Sequence, residues 1–270
     1  MLPSQTTPCL ISPKNYNLDF PLFVFLPGMD GTGKLLQTQM DSLEKAFDIR
    51  CLAIPPDDLT DWDELSAQVR DLIVAEWEKH PKRSVYLCGE SFGGCLAMKV
   101  ALRSPELIDR IILVNPASSF NQRPLLGCAT QLGVYLPDIF YQVSTVALLP
   151  FLAALGRTEP SDRRALLNAM KSVPPETVLW RLSLLRDFYI EPTQLKRLTQ
   201  PILLLAGKMD RILPSVAEAK RLSEIFPNAQ SVILPDSGHA CLIESEIKLY
   251  NILKETNFLE PDVLETALAD

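Results

Sequence analysis

The chain is predicted to fold as an α/β unit: a mostly parallel sheet flanked by helices, interrupted by an inserted helical cap. Three observations carry that expectation. Short apolar runs of buried-strand type alternate with helical patterns, an order that places crossover helices on both faces of parallel strands. One of those strands runs into Gly89-Glu90-Ser91-Phe92-Gly93, with a helical pattern starting immediately after it. From Ala117 to Gln200 the strand signals vanish and helical patterns rich in Leu, Ala and aromatics replace them. The expected division is a core of residues 1–116 and 201–270 and a cap of residues 117–200.

After a Pro-rich start, Pro21 to Leu26 is the first clear strand, so the antiparallel strands that often open such folds are expected to be missing or short. The glycine-rich loop Pro27 to Gly33 follows, then a helix over Leu35 to Phe47. A strand at Ile49–Ile54 is cut off by Pro55-Pro56. Asp61 or Asp63 can cap the next helix, which carries Leu65, Val69, Leu72, Ile73 and Trp77 at helical spacing and stops before Pro81. The strand from Val85 enters the Gly-x-Ser-x-Gly turn, and Ile111–Val114 is another strand, ended by Asn115-Pro116. Beyond the cap the alternation resumes with a strand at Pro201–Ala206, a helix at Ser215–Phe226, a strand at Ser231–Leu234 and a last helix after His239.

Composition bounds the chemistry. At 270 residues, 47% apolar and 22% charged, the chain can bury a sizeable core without staples. A formal charge of −7 and the lack of a basic run argue against nucleic acid as a partner. The six cysteines are scattered without a Cys-x-x-Cys pair, so neither a zinc site nor any other metal or cofactor is implied. Residues 1–8 have neither a basic nor an apolar signal region, which reads as an intracellular, reducing compartment.

A serine in Gly-x-Ser-x-Gly between strand and helix sits on a tight, strained turn, its hydroxyl clear of the sheet at a helix N-terminus. A hydroxyl is a poor nucleophile at neutral pH, so Ser91 needs a base and the base needs an orienting acid. Only two histidines are available. His80 ends a charged helix in Glu78-Lys79-His80-Pro81 and reads as a surface residue, whereas His239 follows the last strand, where an open parallel sheet places its site. Asp210, between a strand and a helix, is the candidate acid; its alternative is a turn or cap residue. Asp236, three before His239 on the same loop, is poorly placed to reach the far ring nitrogen, and the other common strand end for an acid is Asn115. The oxyanion of a tetrahedral intermediate requires two donors. The candidates are the backbone amides of Phe92 and Met29, with Gly28 and Asp30 in the same loop as substrate-binding positions.

Two other classes compete. Gly28 to Lys34 matches the first seven positions of a phosphate-binding Gly-x-x-x-x-Gly-Lys loop, but the eighth is Leu35, without a hydroxyl for Mg²⁺, and Ile112-Leu113-Val114 ends in Asn115 rather than an aspartate. A non-catalytic ligand receptor would keep the fold and lose turnover.

Leu26-Pro27-Gly28-Met29-Asp30-Gly31-Thr32-Gly33, Arg50 to Pro55, Gly89 to Ala97 and Asn115 to Phe120 carry a more specific resemblance. With these blocks the chain resembles an α/β-hydrolase, and in particular the esterase/lipase-like half of the plant phytyl ester synthases. The resemblance implies acyl transfer from lipid or thioester donors to water or to a long alcohol such as phytol, with Ser91, Asp210 and His239 at the matching triad positions. Those plant proteins carry a second domain with a His-x-x-x-x-Asp motif; here five beyond His80 is Val85 and five beyond His239 is Glu244. Hydrolysis of lipophilic esters is therefore expected before synthesis of phytyl or other fatty esters. From Pro124 to Gly156 the sole charged residue is Asp138, and Pro137 and Pro150 argue against a membrane span. That apolar segment is expected to line a tunnel for an acyl or isoprenoid chain and to touch membranes or lipid droplets.

Overall fold

Runs such as Leu22-Phe23-Val24-Phe25-Leu26 have no polar alternation, so they suit a sheet covered on both faces. In the computed structural model, which describes residues 6–13, 17–122 and 149–260, they form such a sheet. Its strands are β1 (Cys9–Ile11), β2 (Leu22–Leu26), β3 (Asp48–Ala53), β4 (Val85–Glu90), β5 (Arg110–Val114), β6 (Ile202–Gly207) and β7 (Ala229–Leu234). Their spatial order is β1-β3-β2-β4-β5-β6-β7. The three-residue β1 runs antiparallel to β3, with Leu10 opposite Leu52. The other pairings are parallel, with Val24 facing Arg50 and Leu87, Gly89 facing Leu113, and Leu113 facing Leu204. The expected opening strand is thus short rather than missing.

Alternate residues of each strand feed opposite layers, as a period of two requires. Leu22, Val24, Leu26, Leu113 and Leu204 pack with helices α1 (Trp62–Trp77), α2 (Phe92–Arg103) and α5 (Ser215–Ile225). Phe23, Phe25, Tyr86, Val114 and Leu205 pack on the other side with Leu36, Met40 and α6 (Leu249–Glu255). Burying each such Leu or Phe contributes about 1.5–3 kcal/mol. Asp61 is the N-cap of α1 and accepts the N–H groups of Asp63 and Glu64, so the cap residue is Asp61 rather than Asp63.

The predicted helix over Leu35–Phe47 is replaced by a 3₁₀ turn at Lys34–Gln39 and one α turn at Met40–Leu43. Tertiary bonds decide this. Left-handed Gly33 offers no side-chain cap, Thr38 Oγ1 and Gln39 Nε2 donate to Leu242 O at 2.7 and 2.6 Å, and Gln39 Oε1 accepts Leu249 N–H at 2.8 Å. The buried glutamine ties this segment to the chain after β7.

Between β5 and β6 the described residues hold no strand. They include α3 (Pro160–Lys171) and α4 (Pro175–Arg186), a single α turn at Pro192–Leu195, and short 3₁₀ turns at Ala117–Gln122 and Leu155–Arg157. Leu166 and Ala169 of α3 pack with Leu35, Ala240 and Ile243. α4 docks through two indoles, Trp180 Nε1 on Thr60 O and Trp62 Nε1 on Leu184 O, each at 2.9 Å. Of the apolar segment expected to line a tunnel, Pro124 to Ser144 and on to residue 148 lie outside the described residues. Among the described residues no helix is long and apolar enough to cross a membrane.

Candidate active site

Parallel strands all present their C-terminal ends at one edge of the sheet, which is where ligands meet such folds. At that edge β4 delivers Ser91, β6 delivers Asp210, β7 delivers His239 and β2 delivers the Gly28–Asp30 loop. Ser91 has φ 54° and ψ −114°, a conformation that costs a non-glycine residue about 1–3 kcal/mol. The backbone holds it there: Ser91 N–H donates to Val114 O at 2.9 Å, and Ser91 O accepts the N–H groups of Gly94 and Ala117 at 3.0 Å and of Cys95 at 3.4 Å. Only glycine fits on either side. A Cβ on Gly89 would fall on the Gly93 carbonyl, and one on Gly93 would fall on the Leu26 carbonyl.

His239 bridges the other two candidates. Its Nε2 lies 2.8 Å from Ser91 Oγ and its Nδ1 lies 2.6 Å from Asp210 Oδ2. Burial pulls the imidazole down, but the charge and hydrogen bond of Asp210 and the charge of Glu90 outweigh it and hold His239 above the ordinary histidine range. Burial pushes Asp210 up, yet the His239 charge and the bonds from His239, Ser215 and Leu213 N–H leave its carboxyl below the usual value. An ionised acid beneath a proton-accepting ring is the electrostatic arrangement general-base catalysis requires.

The loop after β2 lies against the serine. A Cβ on Gly28 would stand 3.8 Å from Ser91 Cβ, so the missing side chain leaves room beside the hydroxyl. Phe92 is the first residue of α2 and has no intrahelical acceptor for its N–H. The Asp30 carboxyl turns back on its own loop, accepting Thr32 N–H at 2.9 Å and Thr32 Oγ1 at 2.5 Å. Burial raises its pKa against those two bonds and the Arg181 charge. Lys34 N–H is bonded to Thr32 Oγ1 and Gly31 N–H to Gly28 O. A phosphate cradle would use those amides, and here they already have acceptors.

Several neighbours were not singled out from the sequence. Ser215 Oγ donates to Asp210 Oδ2 at 2.5 Å, while Asp210 Oδ1 accepts Ile212 and Leu213 N–H at 2.8 and 2.9 Å. The carboxylate is therefore a turn residue on one oxygen and faces the histidine with the other. Asn115, fully buried at φ 42°, donates through Nδ2 to His239 O at 2.6 Å and Gly238 O at 3.2 Å, and accepts Gly207 N–H at 2.8 Å. It ties the His239 loop to the end of the strand that leads to Asp210. Glu244 accepts Gly238 N–H at 2.8 Å and Arg157 Nε at 3.2 Å, so the residue five beyond His239 braces the histidine loop. Glu90 sits buried with an unpartnered Oε1, and burial, opposed by the His239 charge and assisted by Asp30, raises its pKa to about 7. The only local hint to Asn115 was a polar residue ending an apolar strand. His80 lies before β4, at the opposite end of the sheet, and Asp236 is exposed, its field acting on Arg157.

A family profile described as an alpha/beta hydrolase fold matches residues 21–246. Phytyl ester synthase 1 of Arabidopsis thaliana, a chloroplastic protein, is 34% identical over 260 residues, which cover 88% of this chain and 37% of that protein. The chain thus spans little more than a third of that relative's length. A pimeloyl-[acyl-carrier protein] methyl ester esterase of Vibrio campbellii is 28% identical, over 82% of this chain and 88% of its own. Among solved structures, a hydrolase from Oleispira antarctica superimposes with a TM-score of 0.72 at 14% identity over 94% of each chain, a likeness of fold.

Proposed function

Because the chain belongs to the α/β hydrolase fold family, we propose that it is a serine ester hydrolase that works through an acyl-enzyme on lipophilic esters of long-chain acyl, glyceryl or phytyl type. The observation that carries this reading is His239, held between Ser91 Oγ at 2.8 Å and Asp210 Oδ2 at 2.6 Å. Ser91 Oγ attacks the ester carbonyl as its proton passes to His239 Nε2. The carbonyl π electrons move onto oxygen, where the Met29 and Phe92 amides receive the negative charge. Collapse re-forms the carbonyl and expels the alcohol, which takes the proton from His239. Water, deprotonated by the same ring, then releases the acid and restores Ser91. Asp210 keeps the Nδ1 proton in place throughout.

The ester chemistry is supported by what the relatives are called: a methyl ester esterase and a phytyl ester synthase. The lipophilic preference rests on residues 117–200 acting as a cap over the site. It is consistent with Phe151 and Met209, 49% and 48% exposed, which would also serve peripheral contact with a membrane or lipid droplet. A second reading, acyl transfer to a long alcohol, uses the same acyl-enzyme and is favoured by the 34% identity to the synthase. In an ester panel with free phytol present and absent, hydrolysis is expected to dominate and to favour long acyl chains over acetate. Preference for two- to four-carbon groups would overturn the lipophilic assignment, and phytyl ester as the main product would favour the second reading. Ser91→Ala should lower turnover by about 10⁴-fold or more with an unchanged melting curve; retained activity would refute the nucleophile.

A further inference from the structure

Arg181 is 2% exposed and belongs to α4, between β5 and β6 in the chain, yet its guanidinium reaches the loop after β2. Nη1 donates to Met29 O at 2.6 Å, and Nη2 donates to Pro55 O in the loop after β3 at 3.1 Å. Both acceptors are neutral carbonyls. Burial pulls the guanidinium down and the charges of Asp58 and Asp30 oppose it, yet its hydrogen bonds go to two peptide oxygens rather than to either carboxylate, an expensive way to join loops. Its placement therefore suggests that the geometry of one of those peptides matters.

The Met29 peptides are the ones at stake. On one side Gly28 O accepts Gly31 N–H at 3.0 Å. In a trans peptide the C=O and N–H point in opposite directions, so this bond turns Met29 N–H the other way. On the other side Arg181 holds Met29 O. Gly31, at φ 67°, makes the approach possible: a Cβ there would stand 2.9 Å from Nη1. Gly31 O in turn accepts Ile54 N–H at 2.8 Å, so the loop is fixed to β3 as well. Each peptide flanking Met29 thus has one bond that sets its orientation, and the second of these comes from the region between β5 and β6.

We propose that Arg181 is a positioning residue for the oxyanion hole, through which α4 fixes the Met29–Asp30 peptide and so braces the loop whose Gly28–Met29 peptide presents the Met29 amide. The inference rests on the serine-hydrolase reading and on Met29 as an oxyanion donor. A preorganised donor contributes because it has no reorganisation to undergo when charge develops, and loss of one such donor lowers kcat by about 10²–10³-fold. Loosening it should lower kcat by less.

The test compares Arg181→Gln and Arg181→Lys with the wild type on a p-nitrophenyl ester and its thionoester, whose larger sulfur fits a preset pair of amides poorly. Arg181→Gln should lower kcat by about 10–100-fold with KM within about twofold, and should reduce the ester-to-thionoester rate ratio. Arg181→Lys should recover part of both. The ratio is internal to one preparation, so partial unfolding does not move it. An unchanged ratio, wild-type kcat in Arg181→Gln, or loss of the folded circular-dichroism spectrum in both variants overturns the proposal in favour of a scaffolding role. Ser91→Ala separates the two layers. Activity in that variant removes the serine reading itself, whereas an inactive Ser91→Ala beside a fully active Arg181→Gln removes only the role of Arg181.

Discussion

Asp210 divides its two oxygens between local and long-range contacts, and this explains why a single residue fits both a turn and a triad. Oδ1 closes the turn through Ile212 and Leu213 N–H, and Oδ2 meets His239 and Ser215. Glu90 is a second carboxyl whose charge acts on the same ring. When ionised, Glu90 stabilises protonated His239, which must lose that proton before it can act as base. Activity should therefore rise with pH through a midpoint above the ordinary histidine value near 6.5. Glu90→Gln deletes the charge, so the midpoint of the acid limb of kcat/KM against pH should move to lower pH. A midpoint that stays where it was would show that Glu90 does not act on the base. None of this coupling was readable beforehand, because Glu90 occupies a variable position of the Gly-x-Ser-x-Gly pattern and only the folded site brings Asp30 and His239 within its field.

At the scale of elements, the strand-turn-helix from Val85 to Arg103 was legible because its constraint is local. Two glycines four residues apart, an apolar run before them and an Ala/Leu/Met-rich pattern after them describe one backbone path. Gly93→Ala should destabilise the fold by about 1–3 kcal/mol or more, since the new methyl would press on the Leu26 and Pro27 carbonyls. Urea denaturation measures this, with Gly156→Ala as the contrast: nothing lies within 4 Å of a Cβ there, so its effect should stay within about 0.5 kcal/mol. A Gly93→Ala midpoint equal to that of the wild type would mean the elbow is looser than its geometry. The single helix expected over Leu35–Phe47 is broken for the opposite reason. Its apolar spacing is helical, but Gln39 takes its partners from Leu242, Ile247 and Leu249, more than 200 residues along the chain.

Across the whole molecule, the two ends of the sheet do different work. The C-terminal edge gathers strained Ser91 and Asn115 and the hydrogen bonds around His239. The N-terminal end is tied by a buried network in which Asp48 takes Arg50 Nη1 at 2.7 Å and Arg83 Nη1 at 2.6 Å, while Arg50 Nε meets Glu76 at 3.0 Å. Breaking a buried pair leaves an uncompensated charge, so Asp48→Asn should cost about 3–5 kcal/mol. Because Asp48 opens β3 and the candidate site lies where the strands end, kcat per titratable serine should remain at the wild-type value. Thermal melts together with active-site titration check both halves, and a fall in kcat per site would mean that the two ends are coupled through the sheet.

By itself the sequence determined the alternation of strands and helices, the elbow at Ser91 and the choice of His239 over His80. Each rests on a pattern within about ten residues or on elimination between two candidates. Only the tertiary structure decided that Asn115 and Glu244 would hold the His239 loop, that Ser215 would share the Asp210 carboxylate with His239, and that Arg181 would cross to the Met29 carbonyl. The physical reason is the same in each case. A side chain's hydrogen-bond partner 5 to 152 residues away is chosen by which loops the parallel sheet brings to one edge, and no local period records that choice.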